Sequence, residues 1–333
     1  MQADITLWVL SDGRKGHENQ SIGVAEALAR RIPAAFETKH LRLAPWAATL
    51  PATLLWRLVA GAGGGAAFVL AEGAEHFAPP WPEAVVGAGR RIAPITAWLK
   101  RRHGVPAVQI MEPHMPADAF DALVIPGHDL RAGAVPAPNV LETVGAPNRL
   151  SASAITEAGV PWAGRFGALR QPRLAVMIGG PSRSARFTGR DEAALQAALL
   201  NLADTHGLII SGSPRTPETL MQRLRARLKD SFIWDGSGEN PYPGLLGHVD
   251  AVLVTEDSVS MASEAASTGL PVHVFPITRT APKIERFHAI LARRGASRVF
   301  SGAIEAWEYE PLAEADRVAG ELIAGGLLRG ASP

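Results

Sequence analysis

Residues Leu253 to Ile277 read LVTEDSVSMASEAASTGLPVHVFPI, and this stretch decides the fold class. Ala251 to Val254 is a short apolar run bounded by polar residues, the pattern of a buried parallel strand. Thr255-Glu256-Asp257-Ser258 follows, with Asp257 or Ser258 as the N-cap of a helix over Val259–Thr268. Gly269 stops that helix and Pro271 prevents its continuation. Val272 to Phe275 is the next strand. In an open α/β sheet such a turn lies at the carboxyl end of its strand, where ligands bind. The helix N-terminus offers free N–H groups and a positive dipole end to an anion. Ser260 and Glu264, four apart, share one helix face. A carboxylate one turn behind a phosphate-type site suits a ribose diol, because it accepts two hydrogen bonds. The alternative is a solvated Ser/Glu stripe on an ordinary helix.

This stretch resembles the donor-site helix of the GT-B glycosyltransferases, above all the lipid-linked N-acetylglucosaminyltransferases of peptidoglycan synthesis. The shared pattern is Ser263-Glu264, four residues, then Gly269-Leu270-Pro271, with Pro276 closing the strand. The ELM family, named after a plant mitochondrial-fission factor, is a closer match. Its pattern resembles Thr255, Glu256, Asp257, Ser258, Met261, Ser263 and Glu264 here. The resemblance runs over most of the chain. It implies a GT-B-like α/β architecture of two doubly wound Rossmann-like domains facing across a cleft.

Composition narrows the classes. The chain has 333 residues, 47% hydrophobic and 20% charged, which suits a globular protein of about two domains. A formal net charge of +1 supplies no long-range field for nucleic acid, so none is expected as a partner. With no cysteine there are no disulfides or thiolate metal sites, compatible with the cytosol. The N-terminal residues lack the basic region and apolar core of a signal peptide. No stretch is long and apolar enough to span a membrane; Trp46 to Gly65 comes nearest but holds Pro51 and Arg57.

In the first half, Ile5–Leu10 reads as a strand, Ser11–Gln20 as a polar glycine-containing turn, and Ser21–Ile32 as a helix with a 3,4 apolar pattern. Gly16-His17, followed seven residues on by Val24-Ala25-Glu26-Ala27-Leu28, resembles the Gly-His loop of the peptidoglycan enzymes, with Asp12, Arg14 and Lys15 where those carry small residues. His17 on such a turn has the chemistry of a general base toward an acceptor hydroxyl, with Asp12 as the other candidate and Gly13 and Gly16 shaping the loop. A capping or solvent-facing histidine is the plain alternative. Ala35–Leu43 reads as a second strand. Pro45–Ala60 reads as an apolar helical segment, packed in the core or, by its tryptophans, set against a membrane surface that carries a lipid-linked acceptor. Gly61, Gly63, Gly65 and Ala66 match a dinucleotide pattern but follow a helix. Ala84–Val86, the turn through Gly87 and Gly89, the helix Pro94–Arg102, the strand Val105–Met111 and Glu112 make a Rossmann-like fragment. Ile92 stands at its third glycine position. This fragment is the support for a dinucleotide-dependent epimerase.

Ser151–Arg173, rich in Gly, Pro and Trp, reads as a linker. The strand–helix rhythm then restarts at Leu174. The expected organisation is 1–155 as an acceptor-side domain, 156–172 as linker, 173–310 as a nucleotide-sugar domain, and a C-terminal helix in 311–330 that GT-B proteins fold back onto the first domain. Leu174–Ile178 ends in Gly179-Gly180-Pro181-Ser182, with Arg183, Arg186 and Arg190 before the helix Asp191–His206. Leu208–Ile210 ends in Ser211-Gly-Ser213-Pro-Arg215-Thr216, and Phe232–Trp234 leads into a loop holding Asn240 and Tyr242. Several Gly/Ser/Thr/Arg turns on successive strands point to one phosphate crevice. The substrate-binding candidates are therefore Gly179, Gly180, Ser182, Arg183, Ser213, Arg215, Thr216, Tyr242, Thr255, Asp257, Ser258, Ser260, Met261 and Glu264. Lys283, on the helix Lys283–Arg294, joins them by position.

No P-loop occurs, the ten histidines are scattered, and Asp257 sits in Glu-Asp-Ser rather than Asp-x-Asp, so no metal and no cofactor is expected. Helix N-termini and arginines would then stabilise a leaving diphosphate. The resemblance implies a metal-independent transferase in the cytoplasm or at the inner membrane face. It would move a sugar from a nucleoside-diphosphate sugar to an acceptor hydroxyl, with lipid-linked and cell-envelope acceptors among the candidates. A nucleoside-diphosphate-sugar epimerase and a non-catalytic nucleotide-binding module are the alternatives.

Overall fold

Alternating strands and helices build two parallel sheets of six strands each. The structure, a computed structural model, describes residues 5–61, 65–130, 133 and 135–328. The chain divides into two units, Met1–Arg149 with Ala313–Pro333 and Leu150–Leu312.

The first unit carries β1 (Ile5–Ser11), β2 (Ala34–His40), β3 (Ala84–Ala88), β4 (Ala107–Ile110), β5 (Ala122–Pro126) and β6 (Val140–Thr143). Their order is β2-β1-β3-β4-β5-β6, parallel throughout. Successive residues point to opposite faces, and both faces are covered. Trp8, Leu10, Val85, Ala107 and Leu123 pack with Leu55, Val59, Ile95 and Leu99. These last come from α2 (Ala52–Gly61) and α3 (Ala93–His103). Leu7, Val9, Val86, Val108 and Val124 pack with Val24 and Leu28 on the other side, joined by Val318, Ala319 and Leu322 from the C-terminal helix. The segment Pro45–Ala60 is two helices, Pro45–Thr49 and α2, because Pro51 cannot donate to a continuous ladder. Gly61 ends α2 and Gly65 and Ala66 come after it, while Ala62, Gly63 and Gly64 lie outside the described residues.

The first helix, α1, spans Lys15–Ala29, six residues ahead of the sequence expectation. Its first turns are polar yet buried: Glu18, Gln20 and Ser21 are all under 9% exposed. A helix start that buries polar groups carries no apolar periodicity, so the pattern could not announce it. The polar turn therefore shrinks to Asp12–Arg14, and Gly16 and His17 belong to the first turn of α1.

The second unit carries β7 (Arg173–Ile178), β8 (Gly207–Gly212), β9 (Phe232–Ile233), β10 (Ala251–Thr255), β11 (Val272–Phe275) and β12 (Ser297–Val299). Their order is β9-β8-β7-β10-β11-β12, the doubly wound arrangement whose switch point lies between β7 and β10. Leu174, Val176 and Ile178 pack on Leu195, Leu199, Leu220 and Leu224. The last four come from α5 (Gly189–Ala203) and α6 (Glu218–Arg227). The stretch read as a linker is instead helical: α4 (Ala152–Gly159), a 3-10 turn over Val160–Trp162 and a short helix over Ala163–Gly167. Gly159 in it serves packing, not slack. The Cβ position of Gly159 lies 3.0 Å from the His248 ring, whose Nε2 meets the Gly159 carbonyl at 2.8 Å. The remaining helices are α7 (Val259–Ala266), α8 (Pro282–Arg293) and α9 (Glu314–Ala324). Among the described residues no helix is long and apolar enough to cross a membrane.

Candidate functional site

The switch point of the first sheet lies between the carboxyl ends of β1 and β3, where its two crossover directions diverge. His17 is there, in the first turn of α1. Its ring rests on Gly89, just past β3. A Cβ at Gly89 would stand 2.6 Å from the ring's Cε1 and Nδ1, and the residue's φ of +81° favours glycine as well. Asp12 Oδ1 lies 3.6 Å from His17 Nδ1, a contact longer than a hydrogen bond. Burial pushes the Asp12 carboxyl upward, but His17 and Arg14 outweigh it and hold the group below the usual carboxylate range. Gly13 anchors the turn by donating to Ser11 Oγ at 3.1 Å, and Ser11 Oγ donates to Glu18 at 2.5 Å. The structure thus brings Asp12, Gly13, Gly16 and His17 together at one sheet edge.

Two neighbours of this edge carry no apolar or motif signal and were not candidates. Gln20 donates to the Gly16 carbonyl at 3.0 Å, and its Oε1 is shielded from solvent with no partner among the described residues. Gln109, fully buried at the end of β4, donates to the carbonyls of Gly89 and Ile110 and also leaves Oε1 unpaired. Met111 and His114 beyond it have positive φ values of 68° and 54°, and such strain collects where a site over-determines the backbone. Glu112 sits between them, past the end of β4, and accepts from His114 N–H.

At the second switch point the nominated residues form a closed network. Thr255 Oγ1 accepts from Gly179 N–H at 2.7 Å and donates to Asp257 Oδ1 at 2.7 Å. Asp257 Oδ2 accepts from Gly180 N–H at 2.9 Å and pairs with Arg215 Nη2 at 2.9 Å. Arg215 Nη1 donates to the Gly180 carbonyl at 2.5 Å. Thr216 Oγ1 lies 2.7 Å from the carbonyls of Ile178 and Gly179 and accepts from Ser213 N–H. A Cβ at Gly179 would fall 2.1 Å from Asp257 Oδ2, and one at Gly180 2.1 Å from the Arg215 carbonyl. These glycines are therefore required by the approach of Asp257 and Arg215. Gly179, Gly180, Thr255, Asp257, Arg215 and Thr216 hold the loops of β7, β8 and β10 to one another.

Ser258, rather than Asp257, caps α7, its hydroxyl accepting Met261 N–H at 3.3 Å. The N–H groups of Val259 and Ser260 lie outside that cap. Glu264, one turn on, is half-buried, and the Tyr242 hydroxyl donates to its Oε2. Burial raises the Glu264 carboxyl to about 7, against the lowering effect of that hydrogen bond. Burial and the facing carboxylate push Tyr242 far up in turn. Ser182, Arg183 and Lys283 are exposed, and Ser260 and Met261 half-buried. A cavity of about 240 Å³ opens at the ends of β8 and β9, lined by Ser213, Thr216, Met221, Trp234 and Asp235 among others. In sequence Trp234 reads only as the end of a strand, and Met221 carries no signal. His288 on α8 meets the Glu256 carbonyl through Nε2 at 2.8 Å, burial holds its pKa low, and its Nδ1 is buried without a partner among the described residues. Among the described residues no group of three or more His, Asp or Glu could hold a metal.

Residues 15–325 match the family model described as Mitochondrial fission ELM1. Over 277 residues the chain is 32% identical to the Mitochondrial fission protein ELM1 of Arabidopsis thaliana, covering 74% of this chain. It spans 65% of that relative's length. Among solved structures, the UDP-GlcNAc 2-epimerase of Methanocaldococcus jannaschii superposes with a TM-score of 0.55 at 11% identity, over 96% of this chain and 100% of that one. Medicago truncatula UGT71G1 complexed with UDP-glucose does so with a TM-score of 0.52 at 9% identity, over 96% and 90%. At such identities the likeness establishes the fold: α/β and GT-B-like, with two Rossmann-like domains. The chain belongs to the mitochondrial fission ELM1 family.

Proposed function

We propose that the protein is a metal-independent glycosyltransferase whose second unit binds a nucleoside-diphosphate sugar and whose first unit presents an acceptor hydroxyl to His17. The observation that carries the reading is Glu264. Its carboxyl stands at the carboxyl edge of a doubly wound sheet and already accepts a hydrogen bond from a hydroxyl, that of Tyr242. A ribose diol offers the same kind of donor, twice. The cavity beside Trp234 suits a planar base, and a solved protein of the same fold is complexed with UDP-glucose. In the first unit, the Asp12 carboxylate stands 3.6 Å from His17 Nδ1, on the ring that would take the acceptor proton.

Glu264→Gln tests the donor half. A diol hydrogen-bonds best to the ionised carboxylate, so the variant is expected to lower UDP affinity by about 1.5–3 kcal/mol. In the wild type, affinity should rise with pH toward about 7, with proton release on binding below that value. Stability runs the other way. A raised folded pKa makes the contribution fullest below the ordinary 4.5, and it declines until pH passes about 7. Calorimetry in buffers of different ionisation enthalpy reads the first sign, and melts at several pH values read the second. Unchanged affinity in a folded variant leaves Glu264 as the structural partner of Tyr242 alone.

Dinucleotide-dependent epimerisation is not favoured. The space beside Gly87 is filled by Thr96 and Gln109 and that beside Gly89 by His17, so the turn is packed by protein rather than open to a pyrophosphate. For the acceptor, the residues Trp46, Leu54 and Phe68 are 44%, 42% and 60% exposed, with Trp46 and Phe68 rings 5.4 Å apart and Arg57 exposed nearby on α2. This face suits contact with a membrane that holds a lipid-linked acceptor. Replacing Trp46 and Phe68 by Ser should abolish co-flotation with anionic vesicles, and equal flotation of the variant would refute the contact.

A further inference from the structure

The turn glycines and Arg215 are occupied by Asp257 and Thr255, so the charge of a bound diphosphate has to be met by other groups. Two loops at the same sheet edge supply them. The connection after β7 and the connection after β11 pair as a two-stranded antiparallel ribbon, Ala185–Arg186 with Arg279–Thr280. β10 lies between β7 and β11 in the sheet, so the ribbon ties together the loops on either side of the β10–α7 turn. Its register sets Ala185 opposite Thr280 and Arg186 opposite Arg279. The first pair is buried and the second exposed. The ribbon is fixed at its base: Ala281 N–H donates to the Ser184 carbonyl at 2.7 Å, and Thr278 Oγ1 donates to Asp191, within the capping box of α5.

Directly opposed side chains in an antiparallel pair have Cβ atoms about 4.5–5.5 Å apart, and like charges so placed destabilise the pair. Among the described residues neither Arg186 nor Arg279 meets a carboxylate, and Arg183, three residues ahead of Arg186, is unpaired as well. Folding gains nothing from this arrangement. A ligand with two adjacent anionic groups does, since each guanidinium fork can grip phosphate oxygens through two parallel hydrogen bonds.

We propose that Arg186 and Arg279 form a diphosphate clamp at the carboxyl edge of the second unit. This deepens the donor-site reading, on which it rests for the identity of the nucleoside. The diphosphate comes either from a nucleotide donor or from a phosphorylated acceptor.

Titration calorimetry with inorganic pyrophosphate, UDP and uridine tests it on the full chain. R186Q and R279Q are each expected to weaken pyrophosphate binding by roughly ten- to a hundredfold. R227Q, which removes an exposed arginine at the far end of α6, should leave it within about twofold. Uridine affinity should not move. If the donor supplies the group, UDP weakens in parallel and competes with pyrophosphate. If a phosphorylated acceptor supplies it, UDP keeps its affinity and pyrophosphate binds beside saturating UDP. Pyrophosphate binding that is absent in the wild type, or equal in wild type and in R186Q and R279Q with unchanged melts, overturns the clamp. A wild type that binds pyrophosphate but neither UDP nor uridine leaves the clamp standing and removes the nucleoside reading.

Discussion

His17→Ala should lower the rate of sugar transfer by about a hundred- to ten-thousandfold while leaving nucleotide affinity near wild type. That range is the usual contribution of a positioned general base. The expectation follows from where the residue stands. His17 belongs to the first unit, and its contacts are Asp12 and Gly89. The donor candidates, Glu264 with Tyr242, belong to the second. Its side chain is about a quarter exposed, 23%, so truncation removes contact with Gly89 without opening a sealed cavity. His17→Gln keeps the polarity and volume but cannot take the proton, and it should be as inactive as Ala. Asp12→Asn leaves the imidazole in place and removes only the carboxylate beside it, so a smaller loss is expected. Single-turnover kinetics beside UDP titration would read the split between rate and affinity. Loss of UDP binding in His17→Ala would place the residue in the donor site or in the fold, and the division of labour between the units would be wrong. A protein that binds UDP and transfers nothing from any donor would instead be a binding module.

Asp257→Ala should destabilise the protein by about 3–4 kcal/mol, the scale of breaking a buried ion pair and orphaning its hydrogen-bond donors. The carboxylate has no exposed surface and takes bonds from Thr255, Gly180 and Arg215, which belong to three different loops. Its loss frees the guanidinium and a backbone N–H together. Arg215→Ala should cost less, because that side chain is 37% exposed and Asp257 keeps its other two donors. Gly179→Ala should resemble Asp257→Ala, since its Cβ would displace the same carboxylate. Urea unfolding of the three variants orders them. If Asp257→Ala keeps wild-type stability and loses only nucleotide binding, the residue is a ligand contact and the network is incidental.

This network shows where inference from the chain alone went astray. Gly179, Gly180, Arg215 and Asp257 have the residue types and turn positions of a phosphate site, and the structure engages them with one another. Yet a glycine that frees space for a ligand and one that frees space for a neighbouring carboxylate are identical in sequence. The distinction lies in the loop from β10 approaching the loop from β7, residues 76 and 77 positions apart.

Local order alone was enough for the α/β class, the strands ending in polar turns and the start of a helix at Val259, because each rests on periodicity or on a neighbour within a few residues. Tertiary structure decided the rest. It set the parallel order of each sheet and hence its switch point. It turned Ser151–Gly167 from linker into packed helices. It moved the start of α1 forward to Lys15, since Glu18, Gln20 and Ser21 are buried by contacts that leave no hydrophobic rhythm. It also paired Arg186 with Arg279, 93 positions apart, and no pattern in either segment encodes a partner at that distance. Short-range steric and solvation preferences write themselves into the chain. Contacts across loops depend on which strands become neighbours, and that is settled only when both faces of the sheets are buried.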